Sequence, residues 1–257
     1  MTPAKMWIAL VGLTRKEVLR WLRIWPQSIL PPIITSNLYF LIFGSIIGER
    51  VGSMVGVPYM VFIAPGLVLM SVITNAYANV TSSFYGARFA RNIDELLVSP
   101  MPNWLIILGF VAGGTLRGMT TGAITFLVAS CYAGFHLQHP LEALLALFLC
   151  SSLFSLAGFL NGLFARKFDD TAIFVTFILT PLIYLGGVFY SVNELKGIWH
   201  TLSKFNPVYY IISLFRDAML GLHEHNSLLM IGIITGFVVS LFTLNLVLIN
   251  KGVRIKS

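Results

Sequence analysis

Residues 226–250 read NSLLMIGIITGFVVSLFTLNLVLIN, 25 residues without one Asp, Glu, Lys or Arg. A helix needs about 20 apolar residues to cross the hydrocarbon core of a bilayer, and this stretch supplies them. Working outward, residues 26–48, 143–165 and 171–193 are equally free of acidic and basic side chains, and so is 51–87. Residues 96–141 are interrupted only by Arg117. A soluble core helix would carry a polar stripe, and these runs carry none. The pattern defines an all-α polytopic membrane protein with six transmembrane helices.

Composition agrees with that reading. The chain is 57% hydrophobic and 11% charged, with a mean hydropathy of +0.84, far from the usual soluble mixture of about a quarter charged residues. Six spans and their short loops nearly use up the 257 residues, so any soluble motor is expected on another chain. The net charge of +7 does not point to nucleic acid, because the basic residues flank apolar runs instead of decorating a polar domain. The two cysteines, Cys131 and Cys150, fall near expected span ends without CxxC spacing and read as packing residues.

The N-terminal segment 1–25 does not form a cleavable signal, since Arg15 and Lys16 break the apolar stretch early and no small-residue cleavage site follows. Trp7, Val11, Thr14, Val18, Trp21 and Trp25 recur at helical spacing, with Lys16, Arg20 and Arg23 on a basic strip. That pairing predicts an amphipathic interfacial helix in the headgroup region. With the N-terminus placed inside, the inner segments hold twelve basic residues and the outer ones four, with Arg117 within a span. The bias predicts that both termini are cytoplasmic. All five histidines then fall outside.

Residues 191–225 are not a seventh span. Asn206-Pro207 starts a helix and Gly221 stops it. The intervening turns reach only about 21 Å at 1.5 Å per residue. The segment reads as an external re-entrant helical hairpin between spans five and six, with Trp199, Phe205, Tyr209, Tyr210 and Phe215 at outer-headgroup depth. Within one domain over 1–257, the chain thus divides into an interfacial helix (1–25), spans one to five (26–190), the hairpin (191–225), and span six with its tail (226–257).

Several chemistries are missing from the sequence. There is no GxxxxGK[ST] phosphate loop, no HExxH zinc signature and no histidine in any span to pair with a buried serine. His136, His139 and the His223-Glu224-His225 run lie on external loops and are expected to hold no metal. The spans contain no carboxylate of the kind that ion-driven transport needs, since every Asp and Glu lies at a span end or in a loop. No catalytic residue is expected. A lone Arg at mid-span costs at least about 2.5–3.5 kcal/mol unless satisfied. Arg117 therefore either snorkels to the cytoplasmic headgroups or is anchored by Asn side chains and carbonyls of neighbouring helices.

Glycines at 109/113, 114/118/122, 44/48 and 158/162 repeat the GxxxG step and predict close helix packing. Span two carries Ser71, Asn75, Asn79 and Ser82 on one helical face, and span five carries Thr176, Thr180, Tyr184 and Tyr190. These are either interhelical hydrogen-bonding groups or the lining of a substrate pathway.

The most specific segment is 88–104, RFARNIDELLVSPMPNW, a short amphipathic helix cut by Pro100 and Pro102. It resembles the cytoplasmic loop of ABC-2 type permeases, in which a Glu-Leu-Leu-x-(Ser/Thr)-Pro pattern follows a basic residue. The resemblance extends through residues 70–79, Phe168-Asp169-Asp170, 180–190 and 205–209, and covers essentially the whole chain. It is strongest to single-domain inner-membrane permeases of bacterial ABC exporters in the nodulation-factor and drug-export branch. That resemblance implies a homodimer and two copies of a separate ATPase that binds the ATP and Mg. It also implies a lipid, glycolipid or polysaccharide, or drug as cargo. On it, Arg91, Asp94, Glu95, Leu96 and Leu97 contact the ATPase, with Asp169 and Asp170 as a second contact. Asp94 and Glu95 are then expected to face the partner, with Ile93, Leu96 and Leu97 against the bundle. Spans one, two and five are expected to line the route, and the hairpin to cap its outer end. The competing reading is a self-contained channel or facilitator without a motor.

Overall fold

The computed structural model describes residues 1–134, 137–222 and 226–253. His136, His223, Glu224, His225, Arg254 and Lys256 therefore lie outside the described residues. Six helices are long and apolar enough to cross a membrane: Trp25–Val51, Tyr59–Phe89, Asn103–Ala133, Pro140–Phe164, Phe168–Leu185 and Ser227–Asn250, here spans one to six.

Spans two, three and four are the core. Between 67% and 72% of the residues in their apolar windows are buried, against 11–17% for spans one, five and six. Glycine spacing explains why these three pack together. Gly114 meets Val80 of span two and Ser155 of span four, and Gly118 meets Ala76 and Ser151. Gly158 lies on the backbone of Tyr77, and Gly162 on that of Thr81. Thr81 Oγ1 donates to the Gly158 carbonyl at 3.0 Å, and Thr115 and Ser152 hydroxyls meet at 3.4 Å. In a bilayer, close backbone approach and such hydrogen bonds replace the hydrophobic drive. Cys150 lies buried in the middle of span four and not near its end, while Cys131 is exposed.

Spans one and five are irregular. Span one contains Pro31 and Pro32 and then widens to i→i+5 turns over Phe40–Ile47. Span five widens over Val175–Leu179, just before Pro181, and Thr180 Oγ1 donates to the Val175 carbonyl at 3.0 Å. Proline removes a donor and crowds the preceding turn, and the Thr180 hydroxyl joins its own backbone N–H on the Val175 carbonyl.

One end of the bundle collects both ends of the described chain. Leu13 of the N-terminal helix (Pro3–Arg23) sits against Gly109 near the start of span three, and Asn103 Nδ2 donates to Asn250 Oδ1 at 2.7 Å. Arg88 donates to the carbonyls of Gly162, Leu163 and Ala165 at 2.7–3.2 Å, which ties the end of span two to the end of span four. We call this the basal end. The opposite end carries a hairpin of two short strands, Ser53–Met54 and Val57–Pro58, turned by Val55 and Gly56 at φ 52° and 79°. The apolar run 51–87 concealed that hairpin, because its residues read as part of a helix.

The N-terminal helix is amphipathic as expected, and one of its faces docks on the bundle. Its docked face is Leu13, Glu17 and Trp21, while Trp7 and Val11 are 67% and 44% exposed. The helix lies along span three in the groove left by Gly109 and Gly113. Groove shape, not side-chain hydrophobicity, sets its rotation. Arg20 consequently turns inward instead of joining a basic strip.

The segment between spans five and six has two short helices, Ile198–Lys204 and Pro207–Leu220. Asn206 caps the second, its Oδ1 accepting from Val208 N at 2.9 Å, and Gly221 ends it at φ 68°. At 14 residues it is too short to span. It is more deeply packed than a surface hairpin, however. Tyr209 and Phe215 are core residues at 6% and 1% exposure, so only Trp199, Phe205 and the half-buried Tyr210 keep an outward aspect.

Candidate functional site

Three arrangements stand out, one at each end of the bundle and one at its middle. At the basal end, the loop helix Asn92–Val98 buries Ile93 and packs Leu96 and Leu97 against Phe84, Ile106 and their neighbours. Asp94 and Glu95 stand on its exposed side, flanked by exposed Phe89, Arg91 and Val98. Arg91 begins the helix in the left-handed region, φ 58°. A non-glycine residue there is strained by about 1–2 kcal/mol, so the surrounding contacts hold the loop in one shape. The neighbouring loop contributes exposed Asp169, and the Tyr85 and Phe168 rings lie 6.2 Å apart, joining the two loops in one surface. Asp170 is occupied differently. Its Oδ2 accepts the backbone N–H groups of Arg166 and Lys167 at 2.8 and 3.0 Å, which fixes the start of span five.

At mid-depth, a polar cluster joins the N-terminal helix to spans two and three. Arg117 stands near the middle of span three and Asn75 near the middle of span two. Each is roughly 20 Å from the nearer helix end, at about 1.5 Å per residue. Arg117 Nη1 donates to Asn79 Oδ1 and Nη2 to Asn75 Oδ1, both at 3.4 Å. Of the two readings left open by the sequence, its donors take the anchored one. Arg20 Nη2 donates to Asn79 O at 2.9 Å and Oδ1 at 2.7 Å, and its Nε meets Glu17 Oε2 at 3.3 Å. Glu17 is fully buried and accepts from Ser83 Oγ at 2.5 Å.

Glu17 is a buried carboxylate that the span-by-span reading did not locate. It escaped notice because it stands on a helix outside the spans. The Glu-x-x-Arg step from Glu17 to Arg20 beside the Gly109/Gly113 groove was its only trace in the sequence.

Next to this cluster, a groove of about 190 Å³ separates spans one and two, lined by Gln27, Thr35, Ser36, Tyr39, Ser71 and Asn75 among others. Asn75 therefore belongs to both groove and cluster, whereas Asn79 is wholly buried behind it.

Toward the opposite end, Tyr39, Phe43, Tyr184 and Phe189 form one aromatic group, with ring centroids 4.8–5.9 Å apart. Tyr59 Oη holds it by donating to the Phe189 carbonyl at 3.0 Å. Below it, Arg216 donates to the Gly187 carbonyl at 2.9 Å and lies 3.9 Å over the Phe62 ring. Thr180 sits half-buried on the wide turns of span five, Tyr190 is half-buried in the turn beyond, and Thr176 is exposed on the span's outer surface. Among the described residues, no group of three or more His, Cys, Asp or Glu could hold a metal ion.

A six-span bundle with an ordered basal loop, a buried polar middle and a short-helix cap defines a polytopic membrane protein of the transporter class. The chain belongs to the ABC-2 type transporter family, which it matches across residues 9–220. It is 48% identical to the inner membrane transport permease YadH of Escherichia coli (strain K12) over 251 residues, 98% of each chain. It is 25% identical to nodulation protein J of Rhizobium leguminosarum bv. viciae over 238 residues, 92% of each. With nodulation protein J of Sinorhizobium fredii it shares 27% over 221 residues, 85% of this chain and 83% of the relative.

Proposed function

We propose that this chain is the inner-membrane permease subunit of an ATP-driven exporter. Two copies pair along spans one and five and work with two copies of a separate ABC ATPase, which binds the ATP and Mg. The loop helix carries this reading. Its apolar side is committed to the bundle, yet it presents Asp94 and Glu95 on a rigid, exposed ledge beside Asp169. A loop with no partner would gain nothing from such order. The basal end holds Lys5, Arg15, Lys16, Arg88, Arg91, Arg166, Lys167 and Lys251, which fits a cytoplasmic face and cytoplasmic termini. The route follows spans one, two and five past Asn75, Thr180 and Tyr184. The Tyr39–Phe189 aromatic group and the hairpin close its outer end at rest.

Transport proceeds by alternating access, driven from the ledge. Nucleotide binding on the ATPases moves the ledges, and the irregular spans one and five re-pack against the rigid core. The test is charge reversal at Glu95. In proteoliposomes with the partner ATPase, Glu95→Lys is expected to lower ATPase activity coupled to transport by at least tenfold, with unchanged expression and thermal stability. Full coupling in that variant, or solute flux through the chain alone, defeats the proposal.

A further inference from the structure

The cluster at mid-depth is not charge-balanced. It holds two guanidinium groups, Arg20 and Arg117, and one carboxylate, Glu17, which is committed to Arg20 and Ser83. Arg117 has no ion pair among the described residues. Its two hydrogen bonds, at 3.4 Å, are long contacts to neutral amides, and its buried Nε has no partner. The Asn79 amide nitrogen behind it is also buried without a partner. A cation at this depth is stabilised chiefly by a counter-charge and full hydrogen bonding, and the described residues supply neither to Arg117.

The groove meets this cluster at Asn75. Its wall mixes the amide and hydroxyl groups of Gln27, Thr35, Ser36 and Ser71 with apolar Pro31, Pro32, Leu67 and Met70. Beside it, span one presents Leu30, Ile34, Leu38 and Leu41 at helical spacing, each 45–57% exposed. An anion at one point, neutral polar contacts around it and an apolar stripe alongside describe an amphiphile. Arg117 can exchange its long neutral contacts for charge-assisted bonds of about 2.7–2.9 Å at little loss.

We infer that Arg117 is the recognition point for the anionic group, phosphate or carboxylate, of an amphiphilic cargo whose headgroup sits in the groove between spans one and two and whose chain lies along span one. This deepens the export reading above and rests on it. The inference specifies the cargo class and the residue that selects it.

Direct binding tests the site without any motor. The purified chain in neutral detergent is titrated with dioctanoyl phosphatidylglycerol, dioctanoyl phosphatidylcholine and inorganic phosphate, followed by native mass spectrometry. Wild type is expected to prefer the anionic lipid by ten- to a hundredfold, the worth of a charge-assisted hydrogen bond. Arg117→Gln should erase the preference and Arg117→Lys should keep most of it. Asn75→Asp, which leaves Arg117 in place but gives it an internal counter-charge, should erase it while raising the melting temperature. An undiminished preference in Arg117→Gln overturns the inference, as does inorganic phosphate binding as tightly as the lipid. Because no ATPase takes part, these outcomes stand apart from the exporter reading. Tight anionic-lipid binding that leaves the ATPase of the reconstituted complex unstimulated overturns the assignment of that lipid class as cargo.

Discussion

A single methyl group at Gly66 tests how span two holds the segment after span five. A Cβ built there would lie 2.7 Å from the Val188 carbonyl oxygen and 2.9 Å from its Cα, where ordinary contact begins at 3.4 Å. Both atoms are backbone, so no rotamer change relieves the clash, and the 186–191 segment must retreat by 3.4 − 2.7 = 0.7 Å. That segment is tied down by Tyr59 at Phe189 and by Arg216 at Gly187. Overpacking of this kind costs about 1–3 kcal/mol, against about 1 kcal/mol gained when Ala replaces Gly in a helix. Gly66→Ala should therefore be destabilised by about 0–2 kcal/mol, the difference of those two figures. Gly236→Ala in span six, where a Cβ meets nothing within 4 Å, should be neutral or gain up to about 1 kcal/mol. For a chain of this size the two variants should melt roughly 5 °C apart, measured by intrinsic fluorescence in one detergent. Gly66→Ala melting level with Gly236→Ala would refute the packing argument.

Removing the buried acid should be more damaging. Glu17→Ala strips Ser83 of its acceptor and Arg20 of its counter-charge, and is expected to lose about 3–5 kcal/mol. Glu17→Gln, which keeps an acceptor, should lose about half of that, and equal melting of all three proteins would dismiss the buried contact. At the start of the longer hairpin helix, Asn206→Asp keeps the cap to Val208 but loses the donor to the Leu182 carbonyl, a bond of 2.6 Å. It should cost about 1 kcal/mol, and Asn206→Ala about 2 kcal/mol because the cap goes as well. Denaturation in mixed micelles separates them, and an Asp variant as weak as Ala would mean the cap contributes nothing.

Much of this architecture was legible because it depends on length and period. Six long apolar runs, five of them wholly without charge, cannot be read otherwise in a chain this apolar, and the hairpin helix is too short to be a span whatever its packing. The loop helix was equally readable. Ile93, Leu96 and Leu97 share one face of a short helix, and Asp94 and Glu95 fall on the other. What stayed hidden depends on partners far along the chain. Glu17 meets Ser83 of span two and Gly113 of span three, both remote from it in sequence. Nothing near it signals that a groove and a donor await it. The apolar stripe of the N-terminal helix located Trp7 and Val11 on its outward side but not Leu13 and Glu17 on its docked side, because period alone does not show where a groove waits. The same limit hid the burial of Tyr209 and Phe215.

The distribution of glycine and proline then says where motion must fall on an alternating-access reading. Spans two, three and four are locked by glycine contacts with neighbouring backbone and small side chains, and bistable change there would need several such contacts to part at once. Spans one and five carry Pro31, Pro32 and Pro181 together with the wide turns, which interrupt the regular ladder at Phe40–Ile47 and Val175–Leu179, whereas Pro65 of span two sits in a helix that stays regular. The N-terminal helix belongs to the rigid side, because Glu17 and Arg20 bind it to Ser83 and Asn79 of span two. Span one begins only at Trp25, after the break at Ile24 with φ −109° and ψ 34°. A swing of span one therefore has Ile24 as its lower hinge and the turns near Phe40 as its upper one. The groove beside Asn75 lies between those two points, so the element that moves is also the wall against which a headgroup would rest. The guanidinium that would hold that headgroup is on span three, which stays.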